Sequence, residues 1–275
     1  MVGSSIYSAH LSNPINDQSG FTLIELVVVI VLMGIISIAG TEIIRSGSES
    51  YSKMSGRQAI SSAARVTIER VTRELRTALP NSVRVNATNT CFEFLPINAA
   101  GTYITLPVSA SASSFISARM NPGLDGETGR VSVYPLSDQV YDVSAGMLSP
   151  AATLGVPNVN NEIIVTLASS YQFGSYSTQS RYYLVADPVS FCIDGDNLFR
   201  YQNYGLISVQ PDIDDLPIAL PDRALLANGL SSSVSPFDVS GSTLTRNSIV
   251  RMDMIFAASG ESIRLEHEVQ LRNVP

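Results

Sequence analysis

The chain has 275 residues, of which 45% are hydrophobic and 15% charged, and its formal net charge at pH 7 is -7. This length and apolar content are enough to bury one sizeable core, so we expect a single globular domain. The acidic balance, without a clustered basic stretch, argues against a nucleic-acid-binding protein, because nucleic-acid recognition needs a basic footprint.

The first element in chain order is an apolar run that opens at Gly20-Phe21-Thr22-Leu23-Ile24-Glu25 and continues to Ala39. As a helix, residues 21–41 are long enough to span a bilayer. Glu25 is the single charged residue in the run, and a lone carboxylate in hydrocarbon costs about 2.5 to 3.5 kcal/mol. We therefore expect a counter-charge. A cut between Gly20 and Phe21 would supply one, because the free amine of Phe21 on a neighbouring subunit could neutralise Glu25 during lateral assembly.

The stretch from Gly20 to Ile30 resembles the type III signal sequence of type IV prepilins and type II secretion pseudopilins. In that family a membrane-embedded aspartyl prepilin peptidase cuts after the glycine and methylates the new amino group. The resemblance therefore implies cleavage between Gly20 and Phe21, N-methylation of Phe21, and docking of subunits through Glu25. The tail 248–275 and the two cysteines further resemble minor prepilins of the MSHA pilus system and, more distantly, J-type pseudopilins.

The orientation in the membrane also follows from the resemblance. Residues 1–20 contain no Lys or Arg, and they lack the basic region and small-residue cleavage site of an ordinary secretory signal peptide. Taken alone, the positive-inside rule favours a cytoplasmic position for Arg45, Lys53 and Arg57, but long domains translocate largely regardless of charge. We expect a cytoplasmic leader, one span of the bacterial inner membrane and a periplasmic C-terminal domain, which a cell-surface filament can incorporate.

Beyond the apolar run the pattern becomes that of an amphipathic helix. Apolar residues recur at spacings of three and four and share one helix face: Ala64, Ile68, Val71, Leu75 and Leu79. The other faces carry charges, including an i,i+4 pair of Glu69 with Arg73, and Pro80 is expected to end the helix. The sequence predicts one continuous helix from about 22 to 79. Residues 46–56 are rich in Gly and Ser and predict a bend or local melting.

After Pro80 the helical period gives way to short strand-like runs separated by turn residues. The candidates are Cys91–Leu95, Glu162–Leu167, Arg181–Ala186, Ser190–Ile193, Leu198–Tyr201, Ile249–Phe256 and Ser262–Leu271. Turn signals at 194–197 and 258–261 predict two hairpins and hence an antiparallel sheet. Residues 97–160 and 202–247 are rich in Ser, Pro, Gly, Asn and Asp, and we interpret them as long loops with irregular strands.

The last strand predicts how the sheet meets the helix. Its odd-numbered residues are apolar or histidine and share one face: Ile263, Leu265, His267, Val269 and Leu271. Its even-numbered residues are polar, so the sheet has one buried and one wet side. We expect the buried side to receive the amphipathic helix.

These elements predict an α+β, pilin-like fold, with a long N-terminal helix packed on an antiparallel β-sheet domain with long loops. Four segments follow: a cleaved leader at 1–20, the transmembrane half of the helix at 21–41, its amphipathic half at 42–79, and a periplasmic β-rich domain at 80–275.

In a periplasmic compartment Cys91 and Cys192 favour a disulfide, worth about 4 to 5 kcal/mol by loop closure. The alternative is two buried thiols. Their spacing matches no zinc pattern.

No motif supports catalysis, cofactor binding or a metal site. Once the leader is removed, His267 is the remaining imidazole, and its place on the inward face of a strand is typical of a core histidine. Asp194, Asp196 and the run from Asp212 to Asp215 could suggest calcium, but their spacing fails the EF-hand pattern and Asp-Gly is common turn chemistry. We therefore predict neither catalytic residues nor a cofactor or metal.

Three functions remain open. The leading one is a structural subunit, a minor pilin that initiates or tips a type IV, MSHA-like pilus, or a pseudopilin of a type II secretion system. Its implied partners are the prepilin peptidase and methyltransferase, other major and minor pilins, the membrane, and, indirectly, an inner-membrane platform protein and an assembly ATPase. The second is an adhesin or ligand-binding module that uses the region 97–160. The third is a membrane-tethered periplasmic enzyme.

Overall fold

A computed structural model describes residues 20–120, 123–231, 235–241, 247–258 and 260–271 of the chain. The predicted leader before Gly20, the turn residue 259 and the tail 272–275 lie outside these residues. The chain divides into two units between Ser52 and Lys53. Its one long helix, α1, runs over Leu23–Leu75.

Helix α1 is continuous through the Gly- and Ser-rich residues 46–56, so the predicted local melting is wrong. The hydroxyl of Ser46 donates to the carbonyl of Ile43 at 3.1 Å, which satisfies it inside the helix. Gly47 costs a helix only about 1 kcal/mol relative to alanine, which the flanking turns tolerate. The segment therefore remains helical.

Helix α1 ends at Leu75, four residues before the predicted end, because the next backbone groups pair with another part of the chain. The Leu79 N–H donates to the carbonyl of Leu95, and the Ile97 N–H donates to the carbonyl of Thr77, both at 2.8 Å. Leu79 is nevertheless fully buried, as the apolar stripe predicted.

The helical ion pair also differs from the prediction. Arg70 pairs with Glu74 at 3.5 Å, and within the described chain Glu69 and Arg73 form no ion pair. Glu74 additionally accepts from Arg200 at 2.7 Å. Glu74 therefore pairs with one arginine of the helix and with one arginine of a strand.

Strands make up most of the structure after the helix. In the described residues they are β1 Arg84–Val85, β2 Cys91–Phe94, β3 Ile97–Thr102, β4 Ala112–Ala118, β5 Thr128–Ser132, β6 Leu148–Leu154, β7 Glu162–Tyr171, β8 Arg181–Val185, β9 Val189–Asp194, β10 Asn197–Tyr201, β11 Arg223–Asn228, β12 Leu230–Ser231, β13 Phe237–Ser240, β14 Ser248–Ala258 and β15 Glu261–Leu271. All seven predicted strands are confirmed, and both predicted hairpins form, between β9 and β10 and between β14 and β15.

The strands form three antiparallel sheets where the sequence predicted one. A five-stranded sheet has the order β1-β2-β9-β10-β11, and a six-stranded sheet has the order β3-β8-β5-β6-β7-β4. In a four-stranded sheet, β14 pairs with β12, β13 and β15. The arrangement of one long N-terminal helix followed by antiparallel sheets confirms the α+β, pilin-like fold class.

The largest core lies where the amphipathic face of α1 meets the five- and four-stranded sheets. The helix contributes Ile60, Ala64, Ile68, Val71 and Leu75 to it. Phe92, Phe94 and Phe191 stack in the sheet opposite. In β15, Val269 and Leu271 are buried in the same core, which confirms that the apolar side of the last strand receives the helix.

The expectation of long loops at 97–160 and 202–247 is wrong in its main point. The first region supplies β3 to β6, four strands of the six-stranded sheet, and the second supplies β11 to β13. The six-stranded sheet curls so that its two edges meet just after β3, where Tyr103 bridges to Ser117 of β4. It encloses a second core of its own.

Small residues in β3 and β4 explain why these strands look like loops. A Cβ added at Gly101 would lie 2.8 Å from the ring of Tyr182, so only glycine fits beside that ring. Phe115 meets Tyr182 and Phe173 edge to face, and these rings fill the interior. Because neighbouring strands supply the bulk, Ala, Ser and Gly complete the sheet, and this composition is also typical of loops.

Candidate functional site

The N-terminal segment that carries the predicted cleavage and docking residues begins the helix. Gly20 and Phe21 precede α1, and Thr22 caps it. The Glu25 N–H donates to Thr22 Oγ1 at 3.4 Å, and the Leu26 N–H donates to the Thr22 carbonyl at 3.2 Å. A threonine followed three residues later by a glutamate is the spacing of a capping box, and an acid in the first turn faces the positive end of the helix dipole. Glu25 therefore also stands where it favours helix initiation, a local signal that the sequence interpretation missed.

The same segment is exposed along its length. Phe21, Leu23 and Ile24 are 75%, 81% and 73% exposed, and the apolar residues that follow up to Ile38 are exposed as well. The helix is long and apolar enough to cross a membrane. Within the described part of the chain, no cation lies within 4.0 Å of the Glu25 carboxylate.

Exposed apolar residues continue beyond the membrane-length stretch. Ile43, Ile44 and Tyr51 are each more than two-thirds exposed. Arg45 and Glu49 form an exposed i,i+4 ion pair at 3.3 Å, a contact worth a few tenths of a kcal/mol. Water alone is a poor environment for such residues, and a second surface that covers them would stabilise the helix.

The two cysteines are joined by a disulfide. Cys91 of β2 and Cys192 of β9 stand directly opposite each other in the five-stranded sheet, with Cα atoms 4.2 Å apart. Both are buried, and Tyr201 and Leu216 pack around them. The bond therefore links two strands that lie 101 residues apart in sequence.

The candidate catalytic and calcium-binding residues do not come together. His267 lies on β15 opposite Met252. Asp194 pairs with Arg223 at 2.9 Å, and Asp212 accepts from the Asn86 amide at 2.9 Å. In the described ranges no group of three or more His, Cys, Asp or Glu residues is placed to hold a metal ion.

A buried charged network, which the sequence interpretation missed, lies beside the disulfide-bonded strands. Glu93 is 0% exposed and accepts from Arg84 Nε at 2.6 Å and from the Tyr204 hydroxyl at 2.9 Å. Burial raises the pKa of Glu93, and the Arg84 guanidinium partly offsets that rise. Burial and the neighbouring Glu93 raise the pKa of Tyr204. The available signal was that Glu93 stands between two phenylalanines in the otherwise apolar run Cys91–Leu95, a pattern typical of a strand buried on both faces.

The guanidinium of Arg84 also contacts two backbone carbonyls and an aromatic ring. Its two terminal nitrogens donate to the carbonyls of Ser208 at 2.7 Å and Ile207 at 2.8 Å. Its guanidinium lies 3.6 Å from the centre of the Tyr141 ring, a cation–π contact. These contacts fix residues 204–208 against the sheet. The charged groups of Arg84 and Glu93 are paired with each other.

Comparison with known families places a recognised motif on the N-terminal segment. Residues 15–41 match the model of the prokaryotic N-terminal methylation motif. Comparisons with curated proteins and with solved structures find no match. The chain therefore carries the methylation motif of type IV pilin-like and pseudopilin-like proteins, whose family is structural rather than catalytic. The apolar helix that follows is consistent with membrane anchoring.

Proposed function

We propose that this chain is a minor pilin-like subunit that initiates or tips a type IV, MSHA-like pilus. The methylation motif at residues 15–41, set on an exposed apolar helix, carries the proposal. The six-stranded sheet supports a minor over a major subunit. This sheet has its own hydrophobic core, in addition to the core that the other sheets form with α1. Such additional bulk is easier to place at a filament tip than in every turn of a filament shaft.

The proposal assigns a role to each segment of the chain. Residues 1–20 are a cytoplasmic leader that a prepilin peptidase removes, after which the enzyme methylates the Phe21 amine. Residues 21–41 hold the subunit in the inner membrane, residues 42–79 continue towards the domain, and residues 80–275 lie in the periplasm. An assembly ATPase and a platform protein then extract the subunit, and other pilins receive its N-terminal helix.

Processing can be tested at Gly20. A Cβ added there meets no described atom within 4 Å, so Gly20→Val leaves the fold intact while its side chain obstructs the cut. We expect the variant to accumulate as a longer, unmethylated precursor in the membrane, as measured by intact mass. Gly34 is equally open, so Gly34→Ala is the matched control and should be processed normally. Wild-type protein that keeps Met1 in a host with active prepilin peptidase would contradict the assignment.

Docking can be tested at Glu25, where two roles have to be separated. Glu25→Ala removes both the charge and the side chain that stands at the capping-box position, whereas Glu25→Gln removes the charge and keeps a residue suited to that position. If Glu25 pairs with the Phe21 amine of a neighbour, both variants should insert and be processed normally. Both should also crosslink less to other pilins and enter fewer filaments. Wild-type crosslinking and piliation in the Glu25→Gln strain would show that capping, and not docking, is the role of Glu25.

A pseudopilin of a type II secretion system is the second candidate, because the methylation motif is shared by both kinds of protein. Deletion of the gene separates the two. Loss of surface pili with normal secretion supports the pilus assignment, and loss of protein secretion with normal pili supports the secretion assignment.

A further inference from the structure

A polar cleft of about 650 Å³ lies between the five- and six-stranded sheets, away from the N-terminal segment. Strands β3 and β5 and the turn after β8 supply one wall, and β10 supplies another. Its polar lining includes the side chains of Asn98, Arg130, Asp187, Arg200 and Gln202. A volume of this size is within the range of small-molecule sites.

Two backbone irregularities shape the wall of the cleft. The pairing of β3 with β8 shifts between Ile97 and Ala99, which leaves Asn98 as the extra, unpaired residue of a bulge. Bulges re-aim side chains and are common beside binding sites. At Gly129 of β5 an added Cβ would lie 2.5 Å from the Val185 carbonyl, so only glycine allows this close approach of backbones.

The β10 side of the cleft is pre-organised. Arg200 Nε donates to Glu74 Oε2 at 2.7 Å, and another nitrogen of Arg200 donates to the Gln202 side chain. Asn203 Nδ2 donates to Asp222 Oδ1 at 2.7 Å. These contacts hold the polar groups of this wall in place without a ligand, which lowers the ordering cost of binding.

The opposite side presents groups whose bonding capacity is unused. The contact of Arg130 is a 3.4 Å hydrogen bond to the Ser149 carbonyl, and among the described residues no carboxylate lies within 4.0 Å of its guanidinium. The side chains of Asn98 and Asp187 have no hydrogen-bond partner within the described chain. Arg200 of the cleft is already paired with Glu74, so in a protein with a net charge of -7 Arg130 is the guanidinium of this cleft that is left without a carboxylate among the described residues.

We propose that this cleft binds an acidic saccharide, with the ligand carboxylate on Arg130 and its hydroxyl groups on Asn98 and Asp187. A guanidinium presents a planar pair of N–H donors that matches a carboxylate. An amide donates to and accepts from hydroxyls, and a carboxylate accepts from them. This inference does not depend on the pilin assignment, because it concerns residues outside the N-terminal segment.

The test uses the chain as it is expressed, purified in detergent, with digalacturonate and the neutral disaccharide digalactose as probes in calorimetric titrations. We expect digalacturonate to bind the wild-type protein. Digalactose should bind the wild type about tenfold or more weakly than digalacturonate does, because it has no carboxylate for Arg130. Digalacturonate should lose about tenfold or more in affinity for Arg130→Gln for the same reason, the loss of a charge-assisted contact. Asn98→Ala should weaken binding by a smaller factor. Arg119→Gln, which removes an exposed arginine directly after β4 and outside the cleft lining, is the control and should bind as wild type.

Thermal unfolding of each variant checks that it is folded. The unfolding midpoint of Arg130→Gln should equal that of the wild type, because Arg130 makes one long hydrogen bond. Three results overturn the proposal: no binding of digalacturonate, equal binding of the acidic and neutral sugars, or wild-type binding by a folded Arg130→Gln. Preferential binding of a dipeptide such as glycyl-glutamate would overturn it as well, because the cleft would then recognise a peptide.

Discussion

Replacement of Arg84 with methionine is expected to lower the free energy of unfolding by about 3–5 kcal/mol, the cost of breaking a buried ion pair by removing one partner. Glu93 would be left fully buried with its charge uncompensated, and the carbonyls of Ser208 and Ile207 would lose their donors. The Tyr204 hydroxyl alone cannot replace a guanidinium. The measurement is urea unfolding of the processed chain, followed by circular dichroism.

Two further variants test whether the loss comes from the coupling of Arg84 to Glu93. Arg84→Met combined with Glu93→Met should recover much of the loss, because replacement of a whole buried pair by apolar residues is often close to neutral. Arg70→Met removes an arginine that is 47% exposed from the pair with Glu74, and it should cost no more than about 1 kcal/mol. A double variant that recovers none of the stability lost in Arg84→Met would show that Arg84 and Glu93 are not coupled.

Removal of the disulfide is expected to have a comparable effect. The double variant Cys91→Ala/Cys192→Ala should lose about 4 kcal/mol of stability, because the bond closes a loop of about 100 residues in the unfolded chain. Guanidinium unfolding of the oxidised wild type and the double variant measures the difference.

The matched control for this second prediction is the single variant Cys192→Ala, which should be as unstable as the double variant because the bond is absent from both. Peptide mapping of the protein prepared without reductant should recover Cys91 and Cys192 as one linked pair. Recovery of both residues as free, alkylated thiols would contradict the pairing.

The sequence alone determined those features that repeat along one element. The spacing of Ala64, Ile68, Val71 and Leu75 places them on one face of any α-helix, whatever it packs against. Alternation in β15 likewise follows from strand geometry, which sends successive side chains to opposite sides of a sheet. The methylation motif is local too, because a peptidase and a methyltransferase act on a short stretch of chain near the membrane.

Tertiary structure decided whatever depends on residues distant in sequence. Small residues such as Gly101 of β3 fit because the Tyr182 ring of β8 fills the space beside them, and this cannot be read from β3 itself. The end of α1 moved to Leu75 because Leu79 pairs with Leu95.

The two polar sites show the same limit. The partners of Arg84 lie up to 124 residues away in sequence, so nothing local predicts that Glu93 is tolerated in a core. The polar cleft likewise gathers Asn98, Arg130 and Asp187 from separate strands. Local periodicity reports which face of an element is apolar. Packing decides which elements meet, and therefore which polar groups converge or are left unpaired. Contacts between residues distant in sequence leave no repeating pattern along the chain, so the sequence does not show them.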